Sequence, residues 1–301
     1  MSKLDNKNIS KHLGQSSQYK SEYDASLLVR EPRSSNRKHL GIKEKSLPFV
    51  GCDVWNGYEV SALANNGVPV CGVAKVVYPS DSKYIVESKS MKLYWNSFNM
   101  TKMGDTFAQV AKNIEETAAK DLSKLLQTEV RITLFPCSQK LSTDNPYNDS
   151  NYRRLEESSD IDAESLYVDI YSEDPNLLKT THTGGYKYKV MSSLLKSNCR
   201  VTSQPDWGDV FINMEGSELP NDSELLKYII SFRDECHFHE EICETIFTRL
   251  RNWFEPDKLT VACLYVRRGG WDINPIRTTH EHLIDEFFWE HSVPWIKTLR
   301  Q

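Results

Sequence analysis

Long apolar runs are missing from this chain of 301 residues. No stretch approaches the length that a membrane-crossing helix needs. The opening, Met1 to Tyr23, is polar and of mixed charge, without the apolar core of a signal peptide. A basic excess is missing as well: Lys and Arg number 37 against 42 Asp and Glu, a net charge of -5. That leaves no broad footprint for nucleic acid and favours a free small molecule over direct tRNA binding, because phosphate backbones are bound by clustered Lys and Arg. Paired cysteine motifs are absent too. Cys52, Cys71, Cys137, Cys199, Cys236, Cys243 and Cys263 are odd in number, scattered, and form no C-x-x-C. They read as reduced thiols in a cytoplasm rather than as a disulfide framework. Finally, no G-x-G-x-x-G follows a strand and no Walker loop occurs, so there is no Rossmann signature.

What is present suits globular cores: 39% apolar residues, with 14 Tyr, 11 Phe and 7 Trp. The length predicts about two domains. Residues 1–45 read as a polar extension, either mobile or laid across a surface. Residues 46–137 form a first module, 138–165 a polar linker, 166–277 a second module and 278–301 a tail. In the first module, Val68–Tyr78 and Glu129–Phe135 read as strands, and Tyr84–Trp95 has strand character. Asp105 is the expected N-cap of a helix with Phe107, Val110, Ala111, Ile114, Ala118, Leu122 and Leu125 on one face. In the second module, strands are expected at Leu166–Tyr171, Tyr186–Leu195 around a Gly184-Gly185 turn, and Trp207–Met214. A helix then places His239, Cys243, Ile246, Leu250 and Trp253 or Phe254 on one stripe. Pro256 ends it, and Lys258–Val266 reads as a buried central strand. Strands, helix, strand thus occur twice, which suggests two copies of one α+β unit. The tail carries a short helix with Leu283, Ile284, Phe287 and Phe288, suited to capping the second module or joining an oligomer contact.

Three places carry chemistry. Ser197-Asn198-Cys199 and Gln204-Pro205-Asp206-Trp207-Gly208 put a thiol and a carboxyl around a turn-prone segment. Cysteine is the best side-chain nucleophile, and a nearby carboxyl can take or give the proton that such chemistry moves. The plain alternative is a buried small hydrophobe at Cys199 and a turn residue at Asp206. His237, His239, Glu240 and Cys243 cluster at a helix start. His239 and Cys243 are four apart, as zinc ligands can be, but no third ligand accompanies them, and helix packing explains the spacing as well. Arg267-Arg268-Gly269-Gly270 follows a buried strand. Guanidinium forks beside glycine suit phosphate, and a charged turn is the alternative.

Taken in order, these segments resemble the 7-cyano-7-deazaguanine reductases, nitrile-reducing enzymes of queuosine biosynthesis. Leu194–Cys199 with Gln204–Gly208 resembles the active-site segment. Glu87-Ser88-Lys89-Ser90-Met91-Lys92-Leu93-Tyr94 resembles the signature strand, and Phe238-His239-Glu240 and Arg267–Pro275 resemble two further motifs. The likeness runs from about Tyr23 to Arg277, in the order of the longer, two-module branch, and the tail departs from that pattern. The resemblance implies an α+β architecture of two tandem tunnelling-fold modules, each an antiparallel sheet backed by helices. It implies NADPH as cofactor, no bound metal and a homodimer. Cys199 would be the nucleophile and Asp206 the general acid/base, with a pKa raised by burial beside Trp207 so that it can protonate the nitrile nitrogen. His239 would be an auxiliary proton donor, and Glu87 and Glu240 would grip the base. Ser88, Lys89, Ser90, Lys92, Arg267, Arg268 and Gly269 would line the cofactor. The site should lie between the modules. Two rivals stand beside this reading: a zinc-dependent cyclohydrolase or pterin enzyme on the same fold, and a non-catalytic purine-binding module.

Overall fold

The computed structural model describes residues 20–140, 145–148, 151–159, 161, 166–181, 186–200 and 203–301. The Gly184-Gly185 turn lies outside the described residues, as do residues 1–19 and part of the linker. The first half runs β1 (Arg30–Pro32), α1 (Ser34–His39), β2 (Val50–Ala64), β3 (Pro69–Pro79), β4 (Tyr84–Val86), α2 (Ser88–Asn96), β5 (Lys102–Gly104), α3 (Phe107–Leu126) and β6 (Arg131–Pro136). The second runs β7 (Arg153–Arg154), β8 (Thr180–Thr181), β9 (Lys187–Cys199), β10 (Pro205–Glu215), β11 (Leu219–Pro220), α4 (Asp222–Ser231), β12 (Cys236–His237), α5 (His239–Phe254), β13 (Lys258–Tyr265), β14 (Trp271–Thr278) and α6 (Glu286–Trp289).

The two halves share one ten-stranded sheet, ordered β12-β9-β10-β13-β14-β2-β3-β6, with β5 and β7 pairing β2 and β9. The join is the antiparallel pair β14–β2, in register from Trp271↔Gly57 to Thr278↔Val50. Gly51 and Gly57 are required there. A Cβ on Gly51 would fall 2.0 Å from the Ile276 carbonyl oxygen, and one on Gly57 2.4 Å from the Trp271 ring.

Side chains alternate across this sheet. Trp55, Ala74 and Val76 face α2 and α3, whose Met91, Tyr94, Val110, Ile114, Ala118 and Leu122 form one core with them. Val210, Ile212, Val261 and Cys263 face α4 and α5, meeting Leu225, Ile229, Ile242, Ile246 and Leu250. The opposite face presents Val54, Val77, Phe211, Ala262 and Ile276, and it is covered by Tyr147 and Tyr152 of the linker and by Phe287, Phe288 and Trp295 of the tail. The tail is held from β3. Lys75, 1% exposed, donates to the carbonyls of Phe287, Glu290 and Val293 at 2.8, 2.9 and 2.9 Å.

Several expectations change. Tyr84–Trp95 is not one strand: after the short β4 the chain turns into α2, because Met91, Tyr94, Trp95 and Phe98 are spaced for one helical face and are buried. The α3 N-cap is Thr106, whose side chain accepts from the Gln109 N–H, rather than Asp105. Residues 166–171 form no strand. On α5, Phe254 is buried and Trp253 is 47% exposed. Residues 30–42 insert Arg33 and Arg37 into the interior between the halves.

Candidate active site

β9 and β10 form a hairpin whose loop carries Ser203 in the left-handed region, at φ 54. Its ends are pinned: the Cys199 N–H donates to the Gln204 carbonyl at 2.8 Å, and the Ser203 N–H donates to the Cys199 carbonyl at 2.9 Å. Asn198 lies opposite Pro205 and therefore shares a face with it. The next residues, Cys199 and Asp206, then point together to the other face. Both are buried, at 6% and 7% exposure, so Asp206 belongs to a strand and not to a turn. They line a small pocket with His237, Phe238, His239, Glu240, Arg268 and Ile273 from the second half and Trp55, Val86 and Ser88 from the first.

Arg268, His239 and Lys92 surround the Asp206 carboxylate. Arg268 Nη1 lies 2.9 Å from Oδ1. His239 Nε2 lies 3.4 Å from Oδ2, near enough to feel the charge but not aligned as a hydrogen bond. Lys92 reaches in from α2. Burial pushes the Asp206 carboxyl up, but His239, Arg268 and Lys92 outweigh it and hold the group below its usual value. This corrects the expectation of a raised pKa, which counted burial beside Trp207 and no cations. Trp207 itself is 36% exposed. Burial, with Arg268 adding to it, lowers Lys92 in turn against the pull of Asp206 and Cys199.

His239 opens α5 and stacks on Tyr265 with ring centroids 3.9 Å apart. Its Nε2 is buried without a hydrogen-bond partner, a polar atom left for something in the pocket. His237 faces Cys199 in the parallel β12–β9 register. Burial pushes its imidazole down, but Glu235 at 3.0 Å and Glu241 at 3.3 Å prevail and hold it up at about 9. Glu240, 2% exposed, is pushed up to about 8, first by burial and next by the Asp53 charge. Cys243 turns away from His239, its thiol lying 3.4 Å from the Val261 carbonyl.

The cofactor candidates separate. Arg268 is turned inward onto Asp206, whereas Arg267 is exposed and lies 4.9 Å over the Tyr58 ring. Gly269 and Gly270 have φ 60 and 79, both positive as a two-residue type I′ hairpin requires. A Cβ on Gly269 would meet Lys92 Cδ at 3.2 Å, so the glycine leaves a cradle beside that lysine. Ser88 lines the pocket. Ser90 is sealed: its hydroxyl donates to the Glu87 carbonyl and accepts from the Val29 N–H, so it is not presented to a ligand. Glu87 is the N-cap of α2, and its two oxygens accept from the Lys89 and Ser90 N–H groups at 3.0 and 2.7 Å. Sequence reading missed Trp55, an aromatic pocket wall on a long strand whose burial shows no clean period.

Comparison with known proteins gives this pocket a family. A profile described as "Nitrile reductase, 7-cyano-7-deazaguanine-reductase N-term" matches residues 19–134, and one described as "QueF-like protein" matches residues 205–283. The NADPH-dependent 7-cyano-7-deazaguanine reductase of Colwellia psychrerythraea is 42% identical, over 96% of this chain and 95% of its own length. The chain belongs to the 7-cyano-7-deazaguanine reductase family. Reductases of the same name from Rickettsia massiliae and Rickettsia akari are 41% and 40% identical over 89% of this chain. A match over 96% of the chain cannot leave the whole of residues 278–301 outside it. The match to the Colwellia enzyme therefore extends into the tail, beyond Arg277, where the likeness was expected to end. Both profiles also reach the pocket, the first through Trp55, Val86 and Ser88 and the second through Asp206, His239, Glu240 and Arg268.

Proposed function

We propose that this chain is an NADPH-dependent nitrile oxidoreductase that converts 7-cyano-7-deazaguanine to the 7-aminomethyl compound, a step of queuosine biosynthesis in the cytoplasm. The observation that carries this reading is the pairing of Cys199 with a cation-held Asp206 on one face of the hairpin, inside a pocket of the family's own motifs.

The downward-held Asp206 sets the order of events. It starts as the anion, so it acts first as a base. As the Cys199 sulfur bonds to the nitrile carbon, the S–H proton passes to Asp206, and from there to the nitrile nitrogen. A covalent thioimide results, and Asp206 is an anion again. Arg268 and Lys92 steady that charge, and His239, whose buried Nε2 has no hydrogen-bond partner, serves as the auxiliary proton donor to the nitrogen. Glu240, and Glu87 through the lone pairs its capping bonds leave, take the N–H donors of the base.

The residues fit the cofactor. Arg267 and Lys297 lie over one Tyr58 ring at 4.9 and 3.9 Å beside the glycine cradle, a donor set for phosphate, with Lys92, Arg268 and Ser88 nearer the pocket and Lys89 next to Ser88 in α2. When bound, NADPH supplies hydride, two equivalents in all for the four-electron change. A homodimer that takes the free base, and not tRNA, completes the proposal.

Intact-mass spectrometry of protein and nitrile without NADPH tests it. We expect a gain equal to the substrate's mass in the wild type and none in Cys199→Ala, which also consumes no NADPH. An active Cys199→Ala enzyme would rule out the covalent route. One NADPH oxidised per product, rather than two, would rule out the four-electron reduction.

A further inference from the structure

We propose that the N-terminal segment is part of the substrate site, with Arg33 a positioning residue that lets the Glu240 carboxylate carry its charge. This rests on the reading of Glu240 as a base-gripping carboxylate.

Arg33, Arg37 and Arg277 are 4%, 3% and 0% exposed. Arg37 grips Glu244 with two nitrogens, at 2.9 and 2.7 Å. Arg277 bridges Asp53 at 2.8 Å and Glu244 at 2.9 Å. Arg33 pairs with Asp53 and lies 3.6 Å from Glu244. Three buried guanidinium groups thus meet two carboxylates. An unbalanced buried charge is strongly unfavourable. Glu240 is the next carboxyl, one helical turn before Glu244 on the same face of α5, 2% exposed and opening into the pocket.

Tyr78 links the two. Its ring lies 5.8 Å from the Arg33 guanidinium. Its hydroxyl lies 3.5 Å from Glu240 Oε1 and accepts from the indole of Trp55, the pocket wall, at 3.1 Å. The groups around Glu240 are Asp53 on β2, Tyr78 on β3, Tyr265 on β13, Arg277 on β14, Glu244 on its own helix and Arg33 from the N-terminal segment, and the pocket side adds Cys199, Asp206, His237, His239 and Arg268. Burial and Asp53 hold Glu240 in the neutral form near neutral pH, and Arg33 and Arg277 oppose them. N–H donors arriving from the pocket then need only tip a carboxyl that is already close to ionising. Arg33 keeps it close.

Isotope-edited infrared spectroscopy of the full chain labelled with 13C-glutamate, with Glu240→Gln for subtraction, reads this carboxyl with no ligand present. The wild-type midpoint should lie near 8. Arg33→Gln should raise it by about one unit or more, Arg33→Lys should return it towards wild type, and Asp53→Asn should lower it. Titration of 7-cyano-7-deazaguanine should then show roughly tenfold weaker binding at pH 7 per unit of rise. The deficit should close once the pH exceeds the raised midpoint, with kcat at saturation little changed. A midpoint unmoved by Arg33→Gln overturns the proposal. Should that variant fail to fold, the paired Arg33→Gln/Asp53→Asn protein is compared with Asp53→Asn alone: the pair should titrate higher, and equal midpoints overturn the proposal. A midpoint that moves while affinity stays constant overturns the reading of Glu240 as the substrate carboxylate and leaves the electrostatic tie standing.

Discussion

In the proposed mechanism the proton that Cys199 loses passes to Asp206, a carboxylate on the same face of the hairpin. The carboxyl is held below its ordinary value by His239, Arg268 and Lys92 in spite of burial. A base must be ionised to act, and a group with a lowered pKa stays ionised down to a lower pH. At saturating nitrile, adduct formation without NADPH should therefore not decline through Asp206 anywhere between about pH 5 and 7, since an ordinary Asp already titrates near 3.9. A carboxyl that had to begin protonated would instead lose rate throughout that window. Stopped-flow absorbance of the thioimide distinguishes the two. Asp206→Asn should slow the step by about 10²- to 10⁴-fold, because an amide cannot relay the proton. The sequence alone set the pairing of Cys199 and Asp206 beside a plain alternative, a buried thiol and a turn residue, and it was the resemblance that favoured the pair. The sign of the carboxyl's shift was not legible, because it is set by Lys92 and Arg268, which are distant in sequence and arrive from α2 and the β13–β14 turn.

At the scale of elements, α2 shows how a period can be misread. The stretch Tyr84–Trp95 has strand character in sequence, yet Met91, Tyr94, Trp95 and Phe98 bury one helical stripe, and Glu87 caps it. Glu87 therefore has a structural task as well as its proposed substrate role, and substitution can separate them. Glu87→Ala leaves two helix N–H groups without their acceptor and should cost about 0.5–2 kcal/mol in urea unfolding. Glu87→Gln keeps a side-chain carbonyl to accept from a helix N–H and should cost less, while still weakening the nitrile by removing the charge. If the two variants lose stability equally, the capping account fails. If Glu87→Gln binds substrate as the wild type does, Glu87 is a cap and no more. The long helices α3 and α5 were legible from their apolar period, with Pro256 marking the end of α5 although the α3 cap falls on Thr106, and β3, β10 and β13 were legible as largely apolar runs. β2 and β14 were not: β13 is buried on both sides too, but its run is almost wholly apolar, whereas buried polar residues such as Asp53, Asn56, Asp272 and Asn274 break up theirs. β14 is buried at every position from Trp271 to Thr278, charged Asp272 and Arg277 included.

The whole molecule depends on that unreadable pair. β14 and β2 make two modules into one sheet, and the face away from the helices is closed by the tail. Lys75 is the clasp. It rises from β3 in the first half and holds three consecutive-turn carbonyls of the C-terminal segment, at Phe287, Glu290 and Val293. Arg131 of β6 adds a bond to the Trp289 carbonyl at 2.9 Å. A neutral side chain of similar length at position 75 would fill the space but leave those carbonyls unanswered. A hydrogen bond from a charged donor is worth about 1.5–3 kcal/mol, and an orphaned buried acceptor adds its own penalty. Lys75→Met should thus lower unfolding free energy by at least about 1.5 kcal/mol. The loss should be local before it is global: amide exchange in 285–301 should quicken, together with that of Tyr147 and Tyr152, which pack on the same tail, while α3 and α5 keep their protection. Hydrogen-exchange mass spectrometry reads both regions at once. Uniform loss of protection would mean that Lys75 supports the sheet itself, and unchanged exchange in the tail would mean that Phe287, Phe288 and Trp295 hold it by packing alone.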